Sequence, residues 1–406
     1  MIPWFVSVLI AGIALGSALT QVVKKAALRR NWVGQAMPHH FHDGPIPRIG
    51  GISIFVTVLI LGFATMAFRN SWSAHGWQIL SVLLAGTVVF GVGLWDDFSP
   101  IPPSLKASLE VLAAVILYFG HIRLESLAPL FHGPLPSALS FLLTVAWVLG
   151  ITNAFNLIDG LDGLATGSAL ISSAALVAVF GLTGHPELVL VTLILAGALF
   201  GFLKFNFSPA VIFLGDCGSL FIGFLMSTLG LVFLKSTNSS AGIIIPVFAF
   251  GLPVLDTLLA IVRRLLKGQP IYMPDCEHMH HKLVASGLSA PSSAFALYAV
   301  SGFFCVISVL LVSMPVHSML IATLPLCPVA ACLLGFVYYK YVPELQQLNK
   351  PVGAQRDSLP KIIVHAGSRT VSVRRSSGTR SNAPEFDEVL AGQSEKQQRR
   401  VAFSDD

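Results

Sequence analysis

Charge is what this sequence has least of. Of 406 residues only 11% are Asp, Glu, Lys or Arg, whereas 54% are hydrophobic. Soluble domains carry about 25% charged residues. So few charges cannot cover a soluble surface of this size. That excludes an ordinary cytosolic enzyme and points to a polytopic membrane protein. The plentiful Phe, Leu and Val exclude a chain that is disordered throughout. Cysteine is scarce as well. Cys305, Cys327 and Cys332 lie in apolar runs and Cys217 and Cys276 in polar loops. No CxxC or other metal-ligand spacing occurs, so neither a disulfide framework nor a zinc site is supported. No internal repeat of the kind that builds inverted-repeat transporters is visible. The first apolar run lacks the basic stretch that opens a signal peptide. Its positive charges, Lys24, Lys25, Arg29 and Arg30, follow it, which favours a retained span. The net charge of +5 fits cytoplasmic loops facing anionic lipid, so nucleic acid is not an expected partner.

What the sequence has in abundance is apolar runs. A bilayer span needs roughly 20 such residues. Eleven candidates are read, at 3–20, 50–68, 78–95, 106–121, 137–154, 164–182, 187–203, 218–234, 242–261, 292–313 and 317–341. The expected fold is an all-α polytopic membrane bundle of about eleven transmembrane helices. With the N-terminus outside, the inner loops carry eleven Lys and Arg and the outer loops three, Arg69, Arg123 and Lys235. That asymmetry predicts an N-out, C-in topology. The bundle is expected over 1–341. Residues 342–406 are polar and mixed in charge and read as a largely disordered cytoplasmic tail, in which 361–373 alternates weakly like a short strand.

Charge inside or beside a span is costly, so each acid there is a functional candidate. The membrane portion has twelve acids. The topology places nine at one face: Asp43, Asp96, Asp97, Asp159, Asp162, Asp216, Asp256, Asp275 and Glu277. Glu125 and Glu187 fall on the other face and Glu110 inside the fourth span. Solvating acids would scatter over both faces. A transporter would place its ionisable groups near the midplane and often break its helices there, which this pattern disfavours. An inactive scaffold with an interaction tail would not need so many clustered acids.

Five elements carry this charge. Asp96-Asp97 closes the third span. Two adjacent carboxylates resist joint ionisation unless a cation is near, so the pair can hold Mg²⁺ or supply a base, or simply begin a hydrated loop. In 153–167, Asn153, Asn156, Asp159 and Asp162 recur every three residues. On a continuing helix that keeps them on one face, with Gly160, Gly163 and Gly167 permitting close approach. Four such groups exceed what capping a helix turn requires. Asp216 opens the eighth span, either as a cap or as a ligand for Mg²⁺, which takes one or two carboxylates plus phosphate oxygens. Asp256 lies in the ninth span, before Arg263 and Arg264 and then His278, His280 and His281. The arginines also fit the positive-inside pattern. The histidines suit phosphate binding or acid–base work better than a metal site, since Mg²⁺ prefers oxygen. Arg48 stands beside Gly50-Gly51 and can pair with a phosphate. His39, His40 and His42 read as solvated loop residues.

These five elements, in this order, resemble the bacterial polyprenyl-phosphate N-acetylhexosamine-1-phosphate transferases. That superfamily includes undecaprenyl-phosphate N-acetylglucosaminyl-1-phosphate transferases and phospho-N-acetylmuramoyl-pentapeptide transferases. The resemblance covers about residues 1–341. It implies a bacterial inner-membrane enzyme with its site on the cytoplasmic face. Such an enzyme joins a UDP-N-acetylhexosamine to undecaprenyl phosphate, releases UMP, and starts a lipid-linked envelope glycan. It implies Mg²⁺, with Mn²⁺ as an alternative, and a homodimer. It makes Asp216 and Asp159 metal ligands, Asp96 the base with Asp97 supporting it, and His280 part of the catalytic set. Asn153, Asn156 and Asp162 would contact the nucleotide and Phe213 would stack on uracil. Arg48, Arg263, Arg264, His278 and His281 would bind phosphate or sugar. The His-Met-His-His pattern at 278–281 resembles the N-acetylglucosamine branch. Two departures stand out. Gly34 replaces an acid common early in the first inner loop, and Cys276 stands where a basic residue is common.

Overall fold

The computed structural model describes residues 2–32, 46–69, 72–126, 133–237, 240–270, 278–314 and 318. Among them the protein is all-helical, as expected, with no strand. The helices are α1 (Ile2–Arg29), α2 (Gly51–Arg69), α3 (Trp72–Phe98), α4 (Pro103–Phe119), α5 (Ser137–Leu157), α6 (Leu164–Leu182), α7 (Pro186–Asn206) and α8 (Gly215–Thr237). They are followed by α9 (Ile244–Ala249), α10 (Gly251–Leu266), α11 (Met279–Ala285) and α12 (Ala290–Leu311). Eight of them, α1, α2, α3, α5, α6, α7, α8 and α12, are long and apolar enough to cross a membrane. The chain is therefore a multi-pass membrane protein. At 17 residues α4 spans about 25 Å, a little less than a hydrocarbon core. The expected span 317–341, the tail, and His39, His40, His42, Asp43, Asp275, Cys276 and Glu277 lie outside the described residues.

α8 is the central post, buried along nearly all its length. Small residues bring its neighbours to backbone distance. A Cβ on Gly223 would lie 2.7 Å from the Cα of Thr152 on α5. Between α1 and α7 the same device recurs, where a Cβ on Gly12 would meet the Cα of Gly197 at 3.0 Å. In lipid, where burial alone does not favour helix contact, such close packing is a main source of association.

One expected span is not a single helix. The run 242–261 breaks at Phe250 into α9 and α10. Pro253 has no N–H to give the carbonyl of Ala249, four residues back. That carbonyl instead accepts from the hydroxyl of Ser172 (2.7 Å) and the thiol of Cys305 (3.5 Å). Broken helices are tolerated in a bundle when neighbours satisfy the freed backbone in this way. At the break a Cβ on Gly251 would lie 2.3 Å from the ring of Phe304, so α12 lies against bare backbone.

The long helices alternate in direction. This gathers the C-terminal ends of α3 and α5 and the N-terminal ends of α2, α4, α6 and α8 at one end of the bundle. The acids and amides singled out from the sequence concentrate there. Glu125, in the α4–α5 connection, and Glu187, in the first turn of α7, lie at the other end.

Candidate active site

The site is built around the start of α8. Gly215 has φ +75°, and a Cβ on it would fall 1.8 Å from the carbonyl oxygen of Arg48 and within 2.8 Å of the Asp97 carboxylate, so only glycine fits. Helix starts leave backbone N–H groups without partners. Here Asp97 supplies the acceptors from α3. Its two oxygens take the amides of Asp216 (2.7 Å) and Cys217 (3.0 Å). The capping role open to Asp216 is thus filled by a residue of another helix, and the Asp216 side chain is left to face the cluster.

There it meets Lys106, near the start of α4. The Lys106 ammonium donates to Asp216 Oδ2 and to Asp96 Oδ2 (3.0 Å), bridging the two carboxylates. Asp96 Oδ1 also accepts the amide of Ile101 at 2.9 Å. Asp216 Oδ1 accepts from the Asn156 amide at 3.1 Å, and that amide also donates to Ser219 at 2.8 Å. Two carboxylates, an amide and one ammonium from four helices therefore form one connected side-chain network.

The every-third-residue pattern of 153–162 is only half helical. α5 ends at Leu157, and the chain turns through 158–163 because Gly163 takes φ +76°. Asn156 on the last turn reaches the cluster. Asn153 does not: its amide donates to the buried Glu110 on α4 and to Leu149 O (3.0 Å), a turn deeper in the bundle. In the turn itself, Asp162 accepts the amide of Ala210 at 3.0 Å and so ties down the α7–α8 connection. Asp159 is only half-buried as a residue, yet its carboxyl is withdrawn from water. That burial, and then the charges of Asp216, Asp97 and Asp162, push its pKa well above the ordinary carboxylate range. A cation here would relieve all of them.

Phe213 is held by its backbone. Its N–H donates to Pro47 O (2.8 Å) and its carbonyl accepts from Gly50 (3.0 Å), which fixes the Arg48 segment beside α8. The histidines close the other side. His280 packs on the turn, since a Cβ on Gly160 would lie 2.1 Å from its Nε2. That nitrogen is buried without a hydrogen-bond partner. Burial, and then the neighbouring His281, pull the His280 pKa down to about 4, so the ring is neutral at pH 7. His278 lies parallel to it at 5.9 Å and is bound to Asp256, and the exposed His281 ring is 4.1 Å from His280. Arg263 and Arg264 are buried in the last turn of α10, seven and eight positions after Asp256 and on the same helix face.

The structure brings Asp96, Asp97, Asn156, Asp159, Asp162, Asp216 and His280 to the same end of the bundle. Sequence reading missed two partners. Lys106 counted only as a positive-inside charge, although a lone lysine at the foot of a span, ten residues after Asp96, is a signal. Asp256 was noticed but left without a partner, because its histidine lies 22 residues on.

Among the described residues no three His, Cys, Asp or Glu groups converge as a complete protein cage for a metal. A Mg²⁺ that keeps its waters and takes substrate phosphate needs only one or two carboxylates. The carboxylate oxygens of Asp216 and Asp96 suit such an ion, and the Lys106 ammonium they share marks a place that accepts positive charge.

Fold and site together define a multi-pass membrane protein with an acidic, phosphate-compatible site at one end of its helix bundle. The profile of glycosyl transferase family 4 matches residues 79–234. A probable undecaprenyl-phosphate N-acetylglucosaminyl 1-phosphate transferase of Bacillus subtilis is 33% identical, over 73% of this chain and 81% of its own. A decaprenyl-phosphate N-acetylglucosaminephosphotransferase of Mycobacterium tuberculosis is 33% identical, over 69% and 75%. A phospho-N-acetylmuramoyl-pentapeptide-transferase of Streptococcus pneumoniae is 28% identical, over 71% and 88%. The chain belongs to glycosyl transferase family 4.

Proposed function

We propose that the protein transfers N-acetylglucosamine-1-phosphate from UDP-N-acetylglucosamine to undecaprenyl phosphate at the cytoplasmic face of a bacterial inner membrane. An oxygen of the lipid phosphate attacks the sugar-bearing phosphorus. The bond from that phosphorus to the bridging oxygen breaks, and UMP leaves. The observation that carries this reading is the Asp96–Lys106–Asp216–Asn156 network, which joins α3, α4, α5 and α8 at one end of an apolar bundle.

Phosphoryl transfer is mostly positioning and charge neutralisation. Two anionic substrates must meet, and carboxylates alone would repel them. Asp216, with Asp159 beside it, would hold Mg²⁺, which supplies the neutralising charge on phosphate oxygens when bound. Lys106 and His280 of the chain itself act beside it. Lys106 sits between Asp96 and Asp216, within reach of an oxygen approaching either. The partnerless Nε2 of His280 faces the 158–163 turn. Asp96 would act as the base toward the lipid phosphate. Trp95, Phe98 and Leu105 expose apolar surface next to it, which suits an acceptor with a hydrocarbon tail.

The excess of inner Lys and Arg supports the cytoplasmic orientation. The higher identity to relatives named for N-acetylglucosamine than to the one named for the muramoyl pentapeptide supports the sugar. Purified protein with Mg²⁺, undecaprenyl phosphate and a panel of UDP-N-acetylhexosamines is expected to release UMP, fastest with UDP-N-acetylglucosamine. If no member of the panel yields UMP under conditions where a relative turns over, the reading fails.

A further inference from the structure

α10 and α11 meet at one buried carboxylate. Asp256 is 1% exposed and uses both oxygens: Oδ2 binds Nδ1 of His278 at 2.7 Å, and Oδ1 accepts the amide of Met279 at 2.9 Å. His278 is itself 4% exposed. It occupies the residue before α11 but makes no side-chain cap there. The cap comes across from α10.

The residue type is informative. A cap alone could be made by Ser, Thr or Asn without burying a charge. A carboxylate only accepts hydrogen bonds, so Nδ1 of His278 carries its hydrogen whatever the ring's charge. Nε2 is then the one ring nitrogen left for another partner. Any positive charge on the ring is offset by Asp256 at hydrogen-bond distance. An amide at 256 could not do the same. Its single oxygen accepts from the ring or from Met279, and its NH₂ confronts the other donor. The other charged or titratable groups of α10 and α11 here are Arg263, Arg264, His280, His281 and Lys282. Because His278 lies parallel to His280, and His280 rests on Gly160, fixing His278 also fixes the histidine turn against the carboxylate turn.

We propose that Asp256 is a positioning residue for the transfer: it holds the hydrogen of His278 on Nδ1 and so presents Nε2, as an acceptor, to a hydroxyl of the nucleotide-sugar substrate. This rests on the function proposed above, which wild-type UMP release tests separately. The experiment uses the full chain in detergent, with UDP-N-acetylglucosamine and undecaprenyl phosphate. Asp256→Asn should lower kcat/KM by about 10- to 100-fold, by analogy with the loss of the partners that orient metal-bound histidines. Its thermal midpoint should fall modestly, since the amide keeps one of two acceptors, while the protein still folds and inserts. His278→Gln should lose a similar factor, and Asp256→Asn added to His278→Gln should cost nothing more. A wild-type rate for Asp256→Asn, or losses that multiply in the double variant, would overturn the proposal. If Asp256→Asn does not fold, a wild-type rate for His278→Gln overturns it equally, and a 10- to 100-fold loss at unchanged stability supports it.

Discussion

Asp216→Asn is expected to lower UMP release by roughly 10³-fold, the scale of losing a principal electrostatic group in a phosphoryl or acyl transfer site. The protein should still insert and melt as wild type does. The reason lies in how α8 begins. Asp216 opens the helix, but its own amide and that of Cys217 are satisfied by Asp97. Removing the Asp216 charge therefore leaves the helix start intact. Lys106 keeps Asp96, and Asn156 keeps Ser219. What goes is the carboxylate that three helices converge on. Asp97→Asn should behave oppositely. An asparagine has one acceptor oxygen for two amides and sets its NH₂ against the second. A lost cap costs about 1 kcal/mol, so this variant should melt earlier and lose activity as its structure loosens. Turnover and thermal unfolding measured on both variants separate the roles. Near-normal turnover in Asp216→Asn would remove Asp216 from the chemistry.

That contrast shows what the sequence could and could not disclose. In a chain with 11% charge every acid is conspicuous, because each must be paid for in desolvation. Their gathering at one end was legible from span boundaries alone. Which acid caps and which faces substrate was not. Asp97 and Asp216 lie 119 residues apart, and their division of labour exists only once α3 stands against α8. The period of three in 153–162 put Asn153, Asn156, Asp159 and Asp162 on one helix face, whereas Asn156 closes α5 and the two acids lie in the turn that follows. It misplaced Asn153, because the helix stops at Leu157 and the deeper amide finds Glu110 instead. The run 242–261 is apolar enough for a span, and hydropathy does not register that Pro253 withholds one hydrogen bond. The bond that takes its place comes from Ser172 on α6, a partner no local pattern announces.

Gly51→Ala should be a strongly disruptive one-carbon change at the site end. A Cβ there would lie 2.2 Å from the amide nitrogen of Gly218, 2.3 Å from its Cα and 2.8 Å from the carbonyl carbon of Cys217. All three are backbone atoms of α8, so no side chain can rotate away and α2 itself must retreat. α2 is not free to do so alone. The Gly51 amide donates to Leu214 O at 2.8 Å, and the adjoining Pro47 and Gly50 bind Phe213. Moving α2 therefore strains the segment that leads into Gly215, whose position against Arg48 O and Asp97 sets the start of α8. Overpacking of this kind costs about 1–3 kcal/mol. The variant should unfold at lower temperature and lose UMP release with the same change. Gly62→Ala is the control on the same helix. A Cβ on Gly62 meets nothing within 4 Å, and alanine is the better helix former by roughly 0.5–1 kcal/mol. It should melt no earlier than wild type. If Gly51→Ala melts alongside Gly62→Ala, then α2 and α8 do not touch at their glycines, and the placement of the Arg48 carbonyl against Gly215 falls with that contact.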